Sequence, residues 1–176
     1  IGTNLDGTAA IGNGADGISI HDGGVNTTVA DNLISGNGGN GVTLGGASTG
    51  SCIIRGNIIG LDAAGIAALP NALDGVEVKD NAHGNTIGGI APADRNTISG
   101  NLQNGVSMTG IATSGNALRG NFIGTDVTGT LDLGNSANGV LMSGGATFNI
   151  LGGTVPGTRN VISGNGLSGI FVDGFG

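Results

Sequence analysis

The hexapeptide frame Asn-x-Ile-Ser-Gly-Asn occurs three times, at Asn32–Asn37, Asn96–Asn101 and Asn160–Asn165, so its copies define a constant 64-residue step. Other signals keep that step. Val42, Val106 and Ile170 each follow a glycine, Ile59 and Ile123 each lie in Ile-Gly-x-Asp, and Val76 pairs with Val140 and Arg55 with Arg119. A fixed period of this kind builds a stack of similar units, each leaning on its neighbours, rather than one globular core.

The units read as β. Six segments have the form Gly-φ-x-φ: Ile18/Ile20, Val42/Leu44, Val76/Val78, Val106/Met108, Val140/Met142 and Ile170/Val172. Alternation with period two places both apolar residues on one face of a strand. Asp16-Gly17, Asn40-Gly41, Asp74-Gly75, Asn104-Gly105 and Asn138-Gly139 precede five of these strands, and such dipeptides accept positive φ cheaply. With 40 glycines in 176 residues, no helical run survives interruption. The 38% hydrophobic content, held in a fixed phase, gives the chain a core to bury and argues against disorder.

The 64-residue unit divides further. Taking Val76, Ile98, Leu118 and Val140 as anchors gives steps of 22, 20 and 22; upstream, Ile18, Ile34, Ile54 and Val76 give 16, 20 and 22. The first copy is six residues shorter, and the expected place is the Gly-rich connection between Val78 and Asn96. The longer steps each predict one rung of a parallel β-helix. Residues 1–176 then form a single all-β solenoid domain of about eight rungs, three to each 64-residue repeat, in a rod about 40 Å long at roughly 4.8 Å per rung. In that register Ile34 stacks on Ile54 and Ile98 on Leu118, while Asn37 with Asn57, and Asn101 with Asn121, form an asparagine ladder.

These motifs, together with Ile-Gly-Thr-Asp-x-x-Gly-Thr at Ile123–Thr130, resemble the right-handed parallel β-helix repeats of large secreted and surface bacterial proteins. The resemblance covers the whole chain and implies an extracellular or cell-surface location. It leaves function open, because that fold carries polysaccharide lyases, hydrolases, tailspikes, adhesins and passive scaffolds. The chain opens at Ile1 within a repeat and is expected to be a segment of a longer array.

Charge narrows the partners. Five basic against twelve acidic residues give −7, with no basic stripe for nucleic acid and no run of about 18 apolar residues to span a membrane. Cys52 is the sole cysteine and reads as a small semi-buried side chain.

Chemistry on a repeat scaffold belongs where the repeat breaks. The outward residues after the anchors are Ser19, Ser35, Arg55, Glu77, Ser99, Arg119, Leu141 and Ser163, and Glu77 is the only glutamate. Arg55, Glu77 and Arg119 are therefore the catalytic candidates for a lyase or hydrolase, with a surface ion pair between rungs as the structural alternative. His21-Asp22 could pair a base with an acid, but neighbouring strand residues point apart, so solvated turns are expected there and at Lys79-Asp80, His83, Asp94 and Asp132. Gly12-x-Gly14-x-Asp16 approaches a calcium nonapeptide, and Asp62 and Asp126 could hold a cation in their loops. No cofactor is expected, calcium being the one that these loops could hold. There is no Trp or Tyr, only Phe122, Phe148, Phe171 and Phe175, which leaves little to stack against a sugar. The expectation is a structural or adhesive module that joins neighbouring repeats or identical molecules through its rod ends; the alternative is a polysaccharide-active enzyme with a groove along one sheet.

Overall fold

The computed structural model describes residues 1–174; Phe175 and Gly176 lie outside the described residues. The fold is a parallel β-helix whose coils each have three faces. The first sheet stacks β1 (Ile18–His21), β4 (Val42–Gly45), β7 (Val76–Lys79), β10 (Val106–Thr109), β13 (Val140–Ser143) and β16 (Ile170–Val172). The second holds β2 (Thr28–Ala30), β5 (Ile53–Arg55), β8 (Thr86–Gly88), β11 (Ala117–Arg119) and β14 (Ile150–Leu151). The third holds β3 (Leu33–Ile34), β6 (Ile58–Ile59), β9 (Thr97–Ile98), β12 (Phe122–Ile123) and β15 (Val161–Ile162). Every strand pair is parallel and in register, as between Val42 and Val76 or Val76 and Val106. The six Gly-φ-x-φ segments make the six strands of the first sheet.

The coils are longer than the expected rungs of 20 to 22 residues. First-sheet strands start at Ile18, Val42, Val76, Val106, Val140 and Ile170, so one 64-residue repeat, from Val76 to Val140 or from Val106 to Ile170, is two coils, not three. Val76, Ile98, Leu118 and Val140 lie on the first, third, second and first sheets in turn. The interval between successive anchors is therefore not a whole coil, and three such intervals go round the rod twice. The described chain contains five complete coils and β16, not eight rungs. Six stacked strands span about 24 Å at the usual strand spacing. The six extra residues lie between Gly88 and Asn96, where a 3₁₀ turn at Pro92–Asp94 replaces the direct passage from Ala30 to Asn32.

The core is a set of axial columns. Val42, Val76, Val106 and Val140 are fully buried in one; Leu44, Val78 and Met108 in the next; Ile54, Ile87 and Leu118 in the second sheet; Ile34, Ile59, Ile98 and Ile123 in the third. Ile34 thus stacks on Ile59 rather than Ile54, and Ile98 on Ile123 rather than Leu118. Each such side chain contributes roughly 1.5–3 kcal/mol by leaving water.

Asparagine ladders hold the corners, and among the described residues there are four where the sequence predicts one. The first runs Asn13, Asn37, Asn71, Asn101, Asn135, Asn165. The second runs Asn32, Asn57, Asn96, Asn121, Asn160, so Asn37 and Asn57 belong to different ladders. In both, Nδ2 of each residue donates to Oδ1 of the next, and at most steps its backbone N–H does too. A third joins Cys52, Asn85, Asn116 and Asn149 in the same sense. The fourth, through Asp16, Asn40, Asp74, Asn104, Asn138 and Ser168, donates the opposite way.

Each specified position of the hexapeptide frame has a structural use. Its two asparagines enter the second and first ladders, and its isoleucine enters the third-sheet column. Ser35 Oγ donates to Leu61 O at 2.7 Å and accepts from Gly60 N at 3.0 Å, tying one coil to the next, and Ser99 repeats this with Thr125 and Gly124. Gly100 has φ 72°, and a Cβ there would lie 2.7 Å from the Gly60 carbonyl oxygen; both demands select glycine.

Candidate functional site

The structure separates the catalytic candidates. Glu77 is on the first sheet, registered between Thr43 and Ser107. Arg55 and Arg119 end β5 and β11 on the second sheet. Glu77 Oε2 lies 2.7 Å from Lys79 Nζ and accepts from Asn40 Nδ2 at 2.8 Å. That contact raises the Lys79 pKa above its ordinary value, because the carboxylate bonds and attracts the ammonium form. Arg55 instead faces Asp94 at 3.6 Å. His21 is exposed at the end of β1, and His83 Nδ1 is 3.2 Å from the Asn81 carbonyl oxygen.

Asp16, Asp62 and Asp126 all have structural partners. Asp16 Oδ1 accepts from Asn40 N at 2.8 Å as the first member of the fourth ladder. Asp62 and Asp126 open short antiparallel arms that leave the coil after the third sheet, closed by the bridges Leu61–Ala68 and Thr125–Asp132. Asp62 Oδ1 accepts from the N–H groups of Ile66 and Ala67, and Asp126 Oδ1 from those of Thr130 and Leu131. Asn4 does the same with Thr8 and Ala9 in the first arm, so the role needs an oxygen rather than a charge. The N–H of Leu131, then the Thr128 hydroxyl, hold the Asp126 pKa down to about 2 by bonding the ionised form. Among the described residues no group of three or more His, Cys, Asp or Glu is placed to hold a metal ion.

A different cluster appears at the turn from the second sheet to the third. Arg55, Arg95, Arg119 and Arg159 lie there, one in each of the second to fifth coils, and they are four of the chain's five basic residues. The first coil carries Asp31 in that turn. Arg119 Nε is buried without a hydrogen-bond partner among the described residues. Beside the upper arginines is a cleft of about 460 Å³ lined by Arg95, Phe122, Thr128, Gly129, Gly157, Arg159 and Val161. Phe122 and Val161 are register partners on the outer face of the third sheet, and the arm beginning at Asp126 forms the facing wall.

The Arg95 guanidinium is held from two sides. Its Cζ lies 4.0 Å from the Phe122 ring centroid, a cation–π contact, and its Nε donates to the Gly120 carbonyl at 3.1 Å. Gly129 has φ 76°, and a Cβ there would approach the same ring to 3.0 Å, so the arm closes on Phe122 only with glycine at its tip. Arg159, across the cleft, is exposed and makes no ion pair among the described residues.

Reading the outward residue after each anchor does not reveal this cleft, because Arg95 and Arg159 precede the hexapeptide frame instead. A signal is present: the residue before the frame is Asp31, Arg95 and then Arg159, a reversal of charge at one repeat position. No protein-family model matches the chain, and no curated protein or solved structure matches it either.

Proposed function

We propose that this chain is a structural or adhesive β-solenoid module of a secreted or cell-surface protein, joined to neighbouring repeats or identical molecules through its rod ends. The observation that carries the reading is the use made of the repeat. Every specified position of Asn-x-Ile-Ser-Gly-Asn serves a ladder, a column, a coil-to-coil hydroxyl bridge or a turn, and the carboxylates of Asp16, Asp62, Asp74 and Asp126 accept backbone N–H groups. The whole pattern specifies a stiff axis. Each coil pairs with its neighbours through parallel strands, an arrangement that extends by the addition of further coils. Small-angle scattering and electron microscopy over a range of concentration test this. Rigid rods that lengthen by end-to-end contact support it; a flexible or rounded particle that never associates overturns it.

A second reading, polysaccharide cleavage, is favoured by the arginine corner, where Arg55 and Arg119 end two strands of one sheet. Glu77 lies elsewhere, so this reading rests on the arginines. New reducing ends or unsaturated products from acidic polysaccharides, lost in Arg119→Gln, would establish it in place of the first.

A further inference from the structure

We propose that the cleft between Arg95 and Arg159 is an oxyanion-binding site, taking a carboxylate, sulfate or phosphate group carried on a small ligand or on a chain end. The site goes beyond the scaffold reading and does not depend on it.

Three observations carry it. The first is charge without compensation. Arg55 has Asp94 as its partner, whereas neither Arg95 nor Arg159 makes an ion pair among the described residues. The nearby Asp126 carboxylate accepts from Thr128, Thr130 and Leu131 and so is engaged within its own arm. The second is order. Phe122 and the Gly120 carbonyl fix the Arg95 guanidinium and engage its Nε, which leaves the terminal nitrogens as a planar donor fork matching an oxyanion. The third is the break in symmetry. One repeat earlier, the positions of Arg95, Phe122, Thr128 and Arg159 hold Asp31, Ile58, Ala64 and Arg95. The earlier position has opposite charges where the cleft has two positive ones, and it lacks the ring that holds the Arg95 guanidinium. A volume of about 460 Å³ falls at the small end of ligand sites, which suits a single charged group and the ring or chain unit that bears it.

Calorimetric titration of the intact chain at low ionic strength tests this, with inorganic sulfate, inorganic phosphate, a monomeric uronate and a neutral hexose as separate probes. At least one anion should bind saturably at one site and the hexose should not; which anion binds tightest identifies the source of the oxyanion. Arg159→Gln, at an exposed position, should weaken binding at least tenfold without changing the melting temperature. Arg95→Asp, which restores the charge pair of the earlier repeat, should abolish it. Lys79→Gln removes the same unit of charge from another sheet and should leave affinity unchanged. Absence of saturable binding by all three anions overturns the proposal, as does equal weakening by the Arg159 and Lys79 variants, which would mark a diffuse charge effect. Rod formation measured on the same samples reports separately on the scaffold reading.

Discussion

At the scale of the residue, the corner asparagine fills a role that few side chains can copy. Its amide donates and accepts at once, so one residue type repeated along the axis satisfies itself. Cys52 interrupts this. It stands in the third ladder where Asn85, Asn116 and Asn149 follow, its N–H donates to Asn85 Oδ1 at 3.0 Å, and its Sγ lies 3.1 Å from the Gly24 carbonyl oxygen. Cys52→Asn would place an amide nitrogen near both acceptors and is expected to stabilise the chain by about 1 kcal/mol. Denaturant unfolding measures it, and a destabilised variant would show that the corner lacks room for the larger group. Asp126 gives a prediction in pH. Unfolded, the group titrates near about 3.9; folded, it titrates at about 2. The stability from this depressed pKa is present above the unfolded value and is lost as pH falls through the folded one. Asp126→Asn should keep the arm, as Asn4 does with the same two N–H donors. It should also flatten the loss of melting temperature between about pH 4 and pH 2. An acid limb identical to that of the parent would refute the assignment.

At the scale of the element, a strand of two residues survives only because the column behind it and the ladders beside it are continuous. Ile98, fully buried in β9, is registered between Ile59 and Ile123. Ile98→Ala should cost about 2–5 kcal/mol by leaving a cavity that neighbours held in columns cannot collapse into; an unchanged melting curve would contradict the packing. The same elements show how far the sequence could be read. The period, the first-sheet strands, the site of the six extra residues and the structural use of the hexapeptide were all legible, because each follows from local chemistry. The number of faces per coil was not. Ile54, Ile87 and Ile34 each offer one inward apolar residue, whichever sheet they serve, and nothing local says whether the next such residue lies above or around the corner. Only the pairing of Ile54 with Ile87 and of Ile34 with Ile59 decides that. Arg95 and Arg159 stayed hidden for a related reason: they stand a full repeat apart in sequence, yet the structure puts both on the wall of one cleft.

At the scale of the whole molecule, stability should be close to a sum over coils and their contacts, so the chain should accept more repeat without loss. A second copy of residues 96–159 inserted after Arg159 preserves the chemistry of both junctions, since Arg-Asn opens the frame at 95–96 and at 159–160 alike. Two added coils lengthen the rod by about 10 Å, whereas three would add about 14 Å, and small-angle scattering resolves the difference. The melting temperature should stay level or rise. The insertion also builds a second copy of the cleft, with Arg159 below and the duplicated arginine above. Titration with the anion that the parent chain binds should then reach two sites per chain instead of one. A longer rod that still binds one anion would place the oxyanion site outside the repeated residues, while a rod that fails to lengthen by two coils would undo the coil assignment itself.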